Sequence, residues 1–290
     1  MTPTTPMAGF TFGCDPELFV INGDGDFVSA SDFLPGSKKE PFKVDKGAVQ
    51  PDGVAAEFNI DPASNYKEFS GNIDAVMKQL EEMLPNGHKL VVASSASFKK
   101  HIWDDIQPEA RELGCDPDVN AWTGENNGIP SYEADPRMRC AGGHLHIGFP
   151  GTTDADITDV QHIMNCRDLV KQFDWFLAGW SLQHDKDSIR RNLYGKAGAC
   201  RYKPYGVEYR TLSNFWLKTP ELRLETWNRM NAAINFMRDL CLPRTIRDNQ
   251  FRFRPNEVLV EAINTSKRHL TLEKTFKFPF STLNSDYCVY

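Results

Sequence analysis

The sequence predicts an α+β fold, and three observations carry that expectation. Val54, Ala56, Phe58 and Ile60 alternate with Ala55, Glu57, Asn59 and Asp61, the period-two pattern of a strand with one polar face. Apolar residues recur at helical spacing in 64–83 and 153–180. Turn-forming clusters such as Asn22–Asp26 and Pro85–Gly87 separate the two kinds of segment.

Taken in order, a Pro- and Thr-rich lead (1–11) precedes a strand over Phe12–Ile21, with Asp15 and Glu17 on one face and Leu18 and Val20 on the other. Pro16 places that acidic pair at the start of the strand. Asp24-Gly25-Asp26 reads as a hairpin turn, because it lacks the later ligands of a calcium loop. Residues 31–52 read as loop and short strands, followed by the strand within Gly53–Pro62. A helix follows, capped by Ser64 or Asn65 and stopped at Pro85-Asn86-Gly87, and then a buried strand over Lys89–Ala93. The region 98–140 is irregular, and the Gly-, Asp- and Pro-rich stretch 114–124 reads either as a surface connection or as a loop over a pocket.

Gly142-Gly143-His144-Leu145-His146-Ile147 predicts a strand with both histidines on one face, next to glycines that allow something to approach the backbone closely. In the long helical pattern over 153–180, Trp175 and Trp180 read as packing residues, and His162 and His184 as structural. Arg190–Trp216 then gathers Arg190, Arg191, Lys196, Arg201, Lys203 and Arg210 among Gly195, Gly198 and Gly206, a composition that suggests a bound anion. Its end, Gly206–Leu212, predicts a strand with Glu208 and Arg210 on one side. Alone, that doublet also fits a weak ion pair on a solvated face. Thr219-Pro220-Glu221 opens a helix running to about Leu240. A shorter helix over 257–264 and an extended tail from about 268 to 290 complete the chain.

At 290 residues, 40% hydrophobic and 25% charged, the composition is that of a soluble globular protein, and no linker or repeat divides it, so a single domain over 1–290 is expected. A formal net charge of −6 argues against general nucleic-acid binding. The seven cysteines are dispersed and never form a CxxC pair, which indicates neither a disulfide framework nor a zinc–cysteine site. The lead has no signal-peptide character and no apolar run reaches membrane-spanning length, so the expectation is a cytoplasmic protein without a membrane partner. A homo-oligomer is compatible with all of this.

Four polar doublets, Asp15/Glu17, Glu57/Asn59, His144/His146 and Glu208/Arg210, fall on predicted strands. Joined in one sheet, they line one polar face, with Leu18, Phe58, Leu145 and Tyr209 turned to the helices behind. So many buried carboxylates would cost several kcal/mol without cations. Acids with a histidine form a mainly oxygen ligand set that suits Mg²⁺, or Mn²⁺, better than zinc. Metal ions facing Lys and Arg across a cleft is the arrangement of phosphoryl transfer, here without a Walker or kinase motif.

The segments GCDPELFV, AAEFNIDP, GGHLHIGFP and YGKAGACRYKPYGVEYR resemble, in order, the motifs of the carboxylate-amine ligase superfamily of glutamine synthetase and γ-glutamylcysteine synthetase. They are most similar to its phage-type amidoligase branch. The resemblance implies a curved, largely antiparallel sheet forming a cup, with helices on its outer face. It implies Glu17, Asp15, Glu57, His144 and Glu208 as metal ligands and His146 as a phosphate or substrate contact. Lys196, Arg201 and Arg191 would hold ATP, and Arg210, Arg201 and Glu208 would act on the transferred phosphate. The implied reaction joins a small-molecule or peptide carboxylate to an amine donor with ATP and Mg²⁺, in the host cytoplasm if the protein is phage-encoded. Two other classes fit the residues. One is a metal-dependent hydrolase using the His144/His146 strand, and the other is a noncatalytic nucleotide-binding or virion-associated protein.

Overall fold

The computed structural model describes residues 1–112, 117–128, 135–241 and 257–266. The tail from 268 and part of the 114–124 stretch lie outside the described residues. The chain is α+β and built on one ten-stranded sheet. Its continuous path runs β3 (Phe42–Val44), β4 (Gly47–Asp52), β5 (Ala55–Ile60), β1 (Thr11–Ile21), β10 (Gly143–Gly148), β12 (Gly206–Tyr209), β11 (Ala199–Lys203) and β8 (Val119–Asn120). β2 (Phe27–Val28) and β6 (Lys89–Val91) pair with the far end of β1. Every pairing among the described strands is antiparallel, and the sheet does not close into a barrel. A separate ribbon joins β7 (Ser95–Ser97) to β9 (Met138–Cys140).

β1 is the hub because it changes partners along its length. Residues 11–16 pair with β10, Glu17 and Leu18 with β5, and residues 19–21 with β6. Pro16 therefore sits inside the strand rather than at its start. It occupies the last position paired with β10, where the exchange of partners accommodates a residue with no N–H. Period-two alternation then sorts the sheet's faces. Phe12, Cys14 and Leu18 join Phe58, Leu145, Val207 and Tyr209 in the main apolar core, and Asp15, Glu17 and Glu208 point the other way. That core is covered by α1 (Tyr66–Glu82), α2 (Val160–Phe173) and α3 (Pro220–Cys241).

Local chemistry explains the ends of these helices. Asn65 caps α1 by accepting from the Glu68 N–H at 3.0 Å. Asp159 caps α2 by accepting from His162 N–H at 2.8 Å, which starts the helix at 160 rather than 153 and leaves Ile157 exposed. The helix continues through a π-helical turn at Asp174–Ala178 to Gly179–Ser181. Trp180 is buried, His162 bonds the Lys203 carbonyl at 2.9 Å and His184 stacks on Phe215, so all three serve packing as expected. The strand expected over Lys89–Ala93 is shorter, and it is half-exposed because it covers only the end of β1. Among the described residues, no helix is long and apolar enough to cross a membrane.

Candidate active site

Strand register brings the polar doublets together. Asp15 pairs with His144 across β1 and β10, Glu17 with Glu57 across β1 and β5, and His146 and Arg201 both pair with Glu208. Directly paired residues share a face, so all of these side chains meet on the polar side of the sheet. Asp15 Oδ1 lies 2.9 Å from His146 Nε2 and 3.3 Å from His144 Nδ1. Glu208, 1% exposed, takes Lys203 Nζ at 2.8 Å and is gripped by Arg210 Nη1 at short range. The doublet that fits a surface ion pair is thus an ion pair, but a buried one.

One trio shares a common centre. Ligand atoms of Asp15, His146 and Glu208 all lie within 4.8 Å of one another. Asp15 Oδ1 and His146 Nε2 are shut off from solvent, and neither makes an aligned hydrogen bond. Asp15 Oδ1 and His146 Nε2 converge without being satisfied, and with the adjacent Glu208 carboxylate, already paired with Arg210 and Lys203, they form a set that fits a divalent cation, Mg²⁺ or Mn²⁺ matching its oxygen-rich donors. His144 stands beside this centre. Its Nδ1 lies 3.2 Å from Arg210 Nη1, and its ring covers Gly142.

The electrostatics show an excess of negative charge. Burial and the charges of Asp15, Asp52 and Glu17 push the Glu57 carboxyl well above the usual range. Burial also raises Glu17, although His144 and the Gly142 N–H, donating to Glu17 Oε2 at 2.7 Å, oppose the shift. For Asp15, burial is outweighed by His146 and His144, which hold it well below the usual range. Glu208 is held down to about 2, because Arg210 and the two histidines overcome burial and the Asp15 charge.

The expected cations divide into two groups. Arg210, Arg201 and Lys203 line the site, with Arg210 Nε 2.6 Å from Asp118 Oδ1 and Arg201 Nε 3.7 Å from the same atom. Lys196 lines a small adjoining cavity with Asp118, Tyr194 and Asn127. Arg190 and Arg191 turn inward. Arg190 donates to the carbonyls of Ala141, Thr211 and Arg210 at 2.9, 2.9 and 3.2 Å. Arg191, fully buried, donates to Ser181 Oγ at 3.0 Å beside Asp185, so it stands in the scaffold and not among the expected ATP contacts.

The glycines likewise serve the chain itself. A Cβ at Gly142 would meet the His144 ring at 2.1 Å, one at Gly143 the Ser213 carbonyl at 2.3 Å, and one at Gly195 Arg190 Nη1 at 1.9 Å. The close approach expected at these positions is therefore made by side chains and backbone of this protein.

Asp118 and Tyr205 escaped the sequence reading. Asp118 lies within the irregular 98–140 region, and its only signal was membership of the 114–124 stretch that could cover a pocket. Tyr205 occupies the β11–β12 turn, where its hydroxyl meets His146 Nδ1. A cleft on the Glu17 side is lined by Glu17, Asp52, Glu112, Asp118, His144 and Arg210. Neither a protein family nor a curated protein matches the chain.

Proposed function

We propose that the protein is an ATP- and Mg²⁺-dependent carboxylate-amine ligase that forms an amide or peptide-like bond through an acyl phosphate. One observation carries this reading. The cation-demanding trio of Asp15, His146 and Glu208 shares its Glu208 carboxylate with Lys203, Arg210 and Arg201, so a metal site and a basic wall adjoin on one sheet face.

Asp15, Glu208 and His146 would hold the ion, and Glu17, two residues along β1, and Glu57 on the neighbouring β5 offer further carboxylates. The bound ion would screen phosphate oxygens from the approaching carboxylate. The substrate carboxylate attacks the γ-phosphorus of ATP and ADP departs. The amine then attacks the acyl carbon, phosphate leaves with the bonding pair, and the amine gives up a proton. Arg210 and Arg201 stabilise the charge on the transferred group, and Asp118 orients both guanidinium groups from behind. Lys196 lines the adjoining cavity as a further phosphate contact.

Purified protein supplied with ATP and Mg²⁺ should release ADP only when an acid acceptor is present. It should yield an amide, detected by mass spectrometry, only when an amine is added as well. Glu208→Gln should lower that turnover by roughly 10²–10³-fold. Binding of nucleotide without acceptor-dependent turnover across a broad panel of acids and amines would defeat the proposal. Hydrolysis without nucleotide, supported by Zn²⁺ or Mn²⁺, would put a metal-dependent hydrolase in its place.

A further inference from the structure

We infer that Tyr205 is a positioning residue that holds the His146 ring and lets Nδ1 carry the proton when Nε2 serves as a metal ligand. The inference rests on the metal site proposed above but not on the ligase reaction.

A neutral imidazole can ligate through Nε2 only if its proton sits on Nδ1, and a group that accepts from Nδ1–H fixes both the tautomer and the ring plane. Among the described residues, the hydrogen-bond partner of His146 Nδ1 is the Tyr205 hydroxyl. Tyr205 is itself held in place, since Phe149 N–H donates to its carbonyl at 2.8 Å within the turn joining β11 to β12. On the opposite side of the ring, Nε2 faces Asp15 Oδ1 at 2.9 Å with no aligned hydrogen bond, and Glu208 completes the group. At neutral pH a phenol hydroxyl carries its proton.

A protonated phenol can either donate or accept. Without a cation, Tyr205 O–H can donate to Nδ1, leaving the imidazole proton on Nε2 facing Asp15. With a cation, Nδ1–H donates to the Tyr205 oxygen and the Nε2 lone pair points to the ion. Tyr205 thus offers both states at the cost of rotating one hydroxyl, which a carbonyl in its place would not.

The test is Mn²⁺ affinity, read by electron paramagnetic resonance, in wild-type protein and Tyr205→Phe. Tyr205→Phe should weaken Mn²⁺ binding by about 10–100-fold. Nitrogen-15 NMR of the wild-type histidines should show His146 moving to the Nδ1–H tautomer on Mg²⁺ addition, a readout that needs no variant to fold. Unchanged Mn²⁺ affinity in a folded Tyr205→Phe protein, or His146 keeping its proton on Nε2 with Mg²⁺ bound, overturns the inference and leaves the metal site standing. Wild-type protein that binds no Mn²⁺ at millimolar concentration removes the site and the inference together.

Discussion

Glu57 faces Glu17 directly across β1 and β5, with Asp15 and Asp52 close by, and burial raises the carboxyl groups of both glutamates. Glu57 has a folded-state pKa above its unfolded one, so its ionisation destabilises the metal-free fold as pH rises. Glu57→Gln should therefore stabilise the metal-free protein at pH 8 by about 1 kcal/mol or more, read as a Tm rise of roughly 2–4 °C. With Mg²⁺ held at the proposed site, the same change should shrink the Tm gain expected from the ion in the wild type. Thermal unfolding of both proteins with and without Mg²⁺ checks this, and a lower metal-free Tm for the variant would refute it. Asp15, Glu17, Glu57, His144, His146, Glu208 and Arg210 were legible as one surface because side-chain alternation on a strand is fixed by backbone geometry. Arg191 was not, since a cation's direction at a helix depends on which neighbours pack around it, here Ser181 and Asp185.

At the scale of the element, the wall that carries Arg210 depends on how Arg190 is seated. Its guanidinium gathers the carbonyls of Ala141, Arg210 and Thr211, tying the entry to β10 to the exit from β12. Gly195 gives it room, with φ at +65° and no side chain where Arg190 Nη1 passes. Gly195→Ala adds left-handed backbone strain and a clash at 1.9 Å, so it should destabilise the fold by roughly 1–3 kcal/mol in urea unfolding. It should also weaken the nucleotide binding proposed above, although no charge is removed. Wild-type stability in this variant would show that Arg190 can be seated elsewhere. Of the strands that present site residues, β1, β5, β10 and β12 were readable because each has a run of four or more alternating residues, whereas β11, which carries Arg201 and Lys203, was not read as a strand. β2, β7, β8 and β9 have two or three residues each, too few to show a period, and only pairing with a neighbour makes them strands.

Across the whole molecule, the sheet separates a polar face from an apolar one, and the order of its strands was not in the sequence, because alternation fixes faces and not neighbours. Asp174 breaks the division. It lies on the π-helical turn of the apolar side, fully buried, and accepts from Trp122 Nε1 at 2.6 Å, the Tyr209 hydroxyl at 2.8 Å and Thr211 Oγ1 at 3.3 Å. It thereby joins the segment following Asp118 to β12 and to the residue after Arg210, directly behind the basic wall. Burial pushes its carboxyl up to about 7, against the pull of the Trp122 and Tyr209 donors. An acid raised in the folded state holds its proton there between pH ~4 and ~7 while the unfolded chain has lost it, so stability falls as pH rises through that window. The loss attributable to Asp174 should reach about 1.4 kcal/mol per pH unit and level off above pH 7. Asp174→Asn cannot titrate, so the difference in unfolding free energy between variant and wild type should shift in the variant's favour from pH 5 to 7 and then stay constant. Urea unfolding of both proteins at pH 5, 6, 7 and 8 measures that difference directly. A difference that stays flat from pH 5 to 7 would mean that the three donors hold Asp174 ionised throughout, making it a fixed clamp on the wall instead of a titrating one.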